Sequence, residues 1–253
     1  MMARKRRTAS DDYQPTNIPT KQTKKKKSIT SNLLLDVEPL TGNQKKFFDF
    51  YKEGKNIFAH GVPGSGKTFI ALYNALRDVL DERTPYDTVY IVRSLVQTRS
   101  IGFMPGDEAQ KSGYFEVPYK NMVKYMFQLP SDDDFEMLYG NLKADKIIKF
   151  YNTSFIRGLT LDNCIVIIDE AQNLSAHESF SMITRMGIDA KILFCGDIEQ
   201  SDLTNVNEKN GIVDFMKVVR AMPSFETVDF DIEDIVRSNL VKEFVVTRRA
   251  LNI

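Results

Sequence analysis

Gly61-Val-Pro-Gly-Ser-Gly-Lys-Thr68 fills every position of the pattern G-x-x-x-x-G-K-[ST]. That pattern works in one local setting, a strand running into a glycine-rich loop that opens a helix. The flanks provide it: Asn56-Ile-Phe-Ala-His60 reads as a strand, and Lys67 to Leu80 has helical apolar spacing. In such a loop the glycines let backbone N–H groups curl around phosphate oxygens, and the helix N-terminus adds partial positive charge. Lys67 would reach the β and γ phosphates and Thr68 would place its hydroxyl on Mg²⁺, with Gly61, Pro63, Gly64, Ser65 and Gly66 completing the cradle.

The rest of the chain alternates in the same way. Strands are expected at Asn56 to His60, Thr88 to Val92, Lys146 to Phe150, Cys164 to Ile168, Lys191 to Cys195 and Thr227 to Phe230. Helices are expected at Lys67 to Leu80, Val117 to Phe127, Ala176 to Met186, Gly211 to Met222 and Ser238 to Leu251. Unbroken apolar strands such as Cys164-Ile-Val-Ile-Ile168 imply burial on both faces, hence a parallel sheet with helices on either side. The expectation is one doubly wound α/β domain, residues 31 to 253, of the P-loop kind.

The 34 basic and 34 acidic side chains cancel over the whole chain, but not along it. Residues 1 to 30 hold nine basic groups against two acids, and the remainder holds 25 against 32. A basic, polar segment of this kind cannot bury enough apolar surface to offset its ordering entropy, so 1 to 30 reads as a disordered tail. It is either an electrostatic tether for nucleic acid or a solubilising arm. No run approaches the roughly 18 apolar residues of a membrane span, and no apolar h-region follows the basic N-terminus. A cytoplasmic protein is expected, without membrane attachment. Cys164 and Cys195 lie in apolar runs that suit reduced, buried thiols, and His60 and His177 lack metal-site spacing.

Two further strand ends carry polar chemistry. Ile165-Val-Ile-Ile-Asp-Glu170 closes a strand with two acids at its carboxyl end, where ligands sit in such sheets. Asp169 would hold hydrated Mg²⁺ from its outer shell, and Glu170 would polarise an attacking water, a pairing that favours hydrolysis over transfer to a small acceptor. Leu193-Phe-Cys-Gly-Asp-Ile-Glu-Gln200 ends a third strand, with Asp197 and Gln200 positioned to touch the metal's water shell or the γ-phosphate.

Taken together, these elements resemble the PhoH-like family, a branch of P-loop ATPases close to the first RecA-like lobe of superfamily 1 helicases. The resemblance spans roughly 38 to 250. It rests on the P-loop, Arg93 to Asp107, Ser154 to Asn173, Thr184 to Leu203 and Glu233 to Val241. It implies ATP and Mg²⁺ as cofactors, Gln44 as reader of adenine, and Arg237 as an arginine that stabilises γ-phosphate charge. Fewer than sixty residues follow Asp197, too few for a second lobe of ordinary size, so the arginine is expected from a neighbouring subunit in a head-to-tail ring. The resemblance suggests a hexamer.

Related helicase lobes track single strands with loops at places that match Arg93, Arg99 and Arg157, so RNA or single-stranded DNA is the implied partner. Tyr119 and Phe127, at helical spacing between those loops, are read as core. Single-domain versions with such tails resemble those of bacteriophages, implying a bacterial or phage-infected host cell. The function expected is Mg²⁺-dependent ATP hydrolysis coupled to nucleic-acid binding or remodelling, with helicase-like activity compatible. A nucleotide-gated RNA-binding or scaffold protein is the alternative, and a small-molecule kinase is disfavoured. Removing residues 1 to 30 should lower nucleic-acid affinity and the steepness of its salt dependence, measured by titration at several salt concentrations, while basal ATP hydrolysis persists; equal loss of both would make the tail part of the fold.

Overall fold

Each expected strand forms, and every pairing between strands is parallel. The computed structural model describes residues 29–94, 108–153, 156, 158–197 and 206–251. Strands β1 (Asn56–Gly61), β2 (Thr88–Arg93), β3 (Ile148–Asn152), β4 (Cys164–Asp169), β5 (Ala190–Gly196) and β6 (Phe225–Phe230) lie in the order β3-β2-β4-β5-β1-β6. Side chains alternate between the two faces. Ile57 and Ala59 of β1 enter one core and Phe58 the other; on β4, Ile165 and Ile167 part from Val166 and Ile168 in the same way. Strand β3 starts two residues later than expected, because Lys146 adopts a left-handed φ of 60° where the chain turns out of the preceding helix.

Helices α1 (Gly42–Lys52), α2 (Lys67–Leu80), α3 (Glu108–Phe127) and α4 (Asp132–Ala144) pack on one face. Helices α5 (Ala176–Ile183) and α6 (Val206–Ala221) cover the other, and α7 (Asn239–Ala250) follows β6. The apolar spacing pointed to neither α1 nor α4, although both carry start signals. The Thr41 hydroxyl accepts the Gln44 N–H at 3.2 Å, and the Ser131 hydroxyl accepts the Asp134 N–H at 3.1 Å ahead of three first-turn acids. Such caps contribute about 1 kcal/mol each, and acids there also complement the helix dipole.

This is the doubly wound, RecA-like α/β arrangement, with β5 between the P-loop strand β1 and the acid-bearing β4. From β1 the chain crosses one face through α2, whereas from neighbouring β5 it crosses the opposite face through α6. The crossovers diverge at the carboxyl ends of β1 and β5, and the crevice so formed is where ligands bind in sheets of this type.

Helix α1 is fixed to the far end of the sheet by Lys191 of β5. Its ammonium donates to the Tyr51 carbonyl at 3.0 Å and lies 3.7 Å from the centre of the Tyr51 ring. Ile29 is buried in the core beside this layer, so the folded body starts before residue 31, and a tail deletion must stop short of Ile29. The rest of the tail lies outside the described residues. Both cysteines are free and buried, and burial pushes the Cys164 thiol up to about 12. Among the described residues no helix is long and apolar enough to cross a membrane.

Candidate functional site

The P-loop leaves β1 at Gly61, whose φ is 127°. A Cβ there would sit 1.9 Å from the Phe230 carbonyl oxygen, so the first glycine of the motif is required by the close approach of β6. Val62 packs with Ile235 and Val245, and the Val236 N–H donates to the Gly64 carbonyl at 3.1 Å. Asn43 donates to Asp234 at 2.7 Å. Burial opposes the Asp234 charge, but hydrogen bonds from Asn43, Thr41 and backbone N–H groups outweigh it and hold its pKa below the usual carboxylate range. The start of α1, the P-loop and the segment after β6 are thereby tied into one unit.

All three protons of the Lys67 ammonium are engaged within the loop. They go to the carbonyls of Gly61 at 2.8 Å and Val62 at 2.7 Å and to the Ser65 hydroxyl at 3.1 Å. Burial lowers the Lys67 pKa, while the carboxylates of Asp197, Asp169 and Glu170 oppose the shift. A phosphate entering the loop would replace these carbonyl partners with charged oxygens, which makes stronger, charge-assisted bonds.

Thr68, in the first turn of α2, donates to Asp169 Oδ1 at 2.7 Å, spanning the end of β5. The other carboxylate oxygen, Oδ2, accepts the Tyr119 hydroxyl of α3 at 2.6 Å. Tyr119 is buried, as expected of core, but its hydroxyl reaches the site; burial and the Asp169 charge raise its pKa well above the ordinary range, so the proton stays on the phenol. A hydroxyl and a carboxylate at this distance form a hard, oxygen-only pair of the kind that holds Mg²⁺ together with phosphate oxygens and water.

Glu170 follows Asp169 in the left-handed region, with φ 52° and ψ 45°. For a residue with a side chain this costs about 1–2 kcal/mol, and it turns the carboxylate back toward the cleft. Its Oε2 accepts from Gln172 at 2.6 Å, and its Oε1 lies 3.6 Å from the Arg93 guanidinium. The Gln172 side-chain oxygen Oε1 in turn accepts the Asp197 N–H at 2.9 Å. Gln172 therefore joins the end of β4 to the end of β5, and a Cβ on Gly196 would come 2.6 Å from that oxygen. Gly196 thus makes room for the Gln172 side chain.

These groups share one cavity of about 710 Å³, lined among others by Gln44, Lys67, Thr68, Arg93, Tyr119, Asp169, Glu170, Asp197 and Arg237. Gln44 is nearly fully buried. It donates to the Ser65 carbonyl at 3.0 Å and accepts the Leu40 N–H at 2.8 Å, so it braces the P-loop. These two bonds leave one amide proton and one lone pair of Gln44 unused. Arg93, expected among the nucleic-acid contacts, lines this cavity beside Glu170. Arg99, Arg157 and Gln200 lie outside the described residues. Tyr119 and Gln172 were missed as site residues: helical spacing speaks only for burial, and nothing in the sequence says where a buried hydroxyl points.

Arg237, expected to serve a neighbouring subunit, lies after β6 and lines this cavity in its own chain, with Cβ and Cδ 3.4 Å from the place a Gly64 Cβ would occupy. If Arg237 serves this site, mixing Lys67→Ala and Arg237→Ala proteins should restore no ATP hydrolysis, since each chain lacks part of its own site. Recovery in the mixture would place the arginine in a neighbour's site.

The family model described as PhoH-like protein matches residues 36–248. Protein PhoH of Escherichia coli (strain K12) is 30% identical over 210 residues, covering 81% of this chain and 57% of that protein. A PhoH-like protein of Mycobacterium leprae is 26% identical over 222 residues, covering 86% of this chain and 61% of that protein. The chain thus spans about three fifths of the length of these relatives. Among solved structures, the Pyrococcus furiosus Hef helicase domain is similar at 11% identity and a TM-score of 0.43, covering 76% of this chain and 39% of that one. Unliganded Pif1 from Bacteroides sp. is similar at 15% identity and a TM-score of 0.37, covering 80% and 43%. With the family model matching most of its length, the chain belongs to the PhoH-like protein family.

Proposed function

We propose that the protein is a Mg²⁺-dependent ATPase. The observation that carries this reading is the bond from Thr68 to Asp169, set between the Lys67 loop and the Glu170 carboxylate. Lys67 and the loop N–H groups bind the phosphates, and Gln44 offers its remaining donor and acceptor to adenine. Thr68 and Asp169 would hold Mg²⁺, which when bound would neutralise charge on the phosphates. Glu170 orients a water toward the γ-phosphate, Gln172 keeps that carboxylate aimed, and Arg237 meets charge at the cavity mouth. Gln200 is proposed to sense the γ-phosphate beside Asp197.

Coupling to RNA or single-stranded DNA is proposed from the basic tail and from the family resemblance, with Arg99 and Arg157 as contacts. Assembly into a hexameric ring rests on the resemblance alone. A cytoplasmic location in a bacterial or phage-infected cell is likewise proposed. A second reading, a nucleotide-gated RNA-binding or scaffold protein, draws on Glu170 being engaged by both Arg93 and Gln172, an arrangement that would slow water activation.

Phosphate release with and without RNA or single-stranded DNA, for the parent and for Glu170→Gln, separates the readings. Stimulated turnover that falls by about 10²-fold or more in the variant is expected, from the usual weight of a positioned base. ATP-dependent nucleic-acid binding without turnover would favour the scaffold, and turnover that needed a small hydroxyl acceptor would make it a kinase.

A further inference from the structure

Asp169 is held from two sides by groups on different elements. Thr68 of α2 takes Oδ1 at 2.7 Å and Tyr119 of α3 takes Oδ2 at 2.6 Å. The second distance is that of a charge-assisted O–H···O⁻ bond. The ring that carries this hydroxyl is fixed: Tyr119 is 2% exposed, and its ring meets that of Phe150 on β3 with centroids 5.7 Å apart and planes at 49°. A carboxylate turns easily about its last torsion. With only Thr68 to hold it, the Asp169 carboxylate would lose its orientation as soon as that hydroxyl moved to a metal ion.

From this geometry we infer that Tyr119 is a positioning residue for the metal-site aspartate. Its phenol keeps Oδ2 occupied and leaves Oδ1 facing Thr68 and the water shell of the metal. In this role Tyr119 acts through Asp169. The inference rests on the nucleotide-and-Mg²⁺ reading above and extends it to α3, an element outside the P-loop and the acidic strand. Partners that orient metal-holding groups in this way typically contribute about 10–100-fold to metal affinity.

Tyr119→Phe removes the hydroxyl and keeps the ring that packs on Phe150, so the fold should survive; its thermal unfolding checks that. The test is the affinity for a fluorescent ADP analogue, measured in EDTA and across a Mg²⁺ titration. Tyr119→Phe should leave the EDTA affinity at the parent value and move the Mg²⁺ midpoint up by about tenfold or more. In an Asp169→Asn background the same change should add nothing, because the two residues act as one unit. An unchanged Mg²⁺ midpoint would overturn the assignment of Tyr119, as would an equal loss of affinity with and without Mg²⁺, which marks a packing role. A parent protein that bound the analogue with no dependence on Mg²⁺ would overturn both the assignment and the reading beneath it.

Discussion

Thr68 lies in the first turn of α2 and Asp169 ends β4, and the 2.7 Å hydrogen bond between them crosses the end of β5. Strands lie about 4.8 Å apart, so β1 and β4, two places apart, leave a gap of roughly 10 Å at the carboxyl edge of the sheet. The P-loop and the first turn of α2 fill that gap from one side and the acids from the other. Much else in the domain serves to hold those two sides in place. Gly61 lets β1 lie against the end of β6, Gly196 leaves room for Gln172, and the β1 and β5 crossovers diverge to open the crevice.

The site is braced in layers, and each brace has a physical cause. Lys67 is buried, which disfavours its charge, and three short contacts within the loop compensate. Glu170 is held in a left-handed turn that its carboxylate contacts with Gln172 and Arg93 help to stabilise. Gln44 and Asn43, both in the first turn of α1, tie that helix to the P-loop and to the turn after β6. That turn, Ile232–Asp234, and α7 bring Arg237 against Gly64. A site built this way uses the whole length from α1 to α7.

Most of the sheet was legible from the sequence because its strands are continuous apolar runs between strong turn signals, and α2 is bounded as its spacing predicts. Helix α1 was not, because its buried face is Gln44, Phe47, Phe48 and Tyr51, in which a polar residue stands where the periodic signal needs an apolar one. Helix α4 starts with three consecutive acids, which mask its amphipathic pattern although they suit a helix N-terminus. At the site, Lys67, Thr68 and Asp169 were readable from motif spacing. The role of Tyr119, the bridge through Gln172 and the position of Arg237 beside its own P-loop depend on which distant elements meet. Spacing along the chain carries no such information.

The central claim is that the cleft between Lys67 and Asp169 takes a nucleotide with Mg²⁺, and thermal unfolding with and without ligand tests it most directly. At about 100 times its dissociation constant, a ligand that binds only the folded state adds about 2.7 kcal/mol, which raises the midpoint of a domain this size by several degrees. ADP with Mg²⁺ should produce that shift in the parent protein, ADP alone a smaller one, and Lys67→Ala should abolish both. No shift with either ADP or ATP in the presence of Mg²⁺, or an equal shift in Lys67→Ala, would contradict the account.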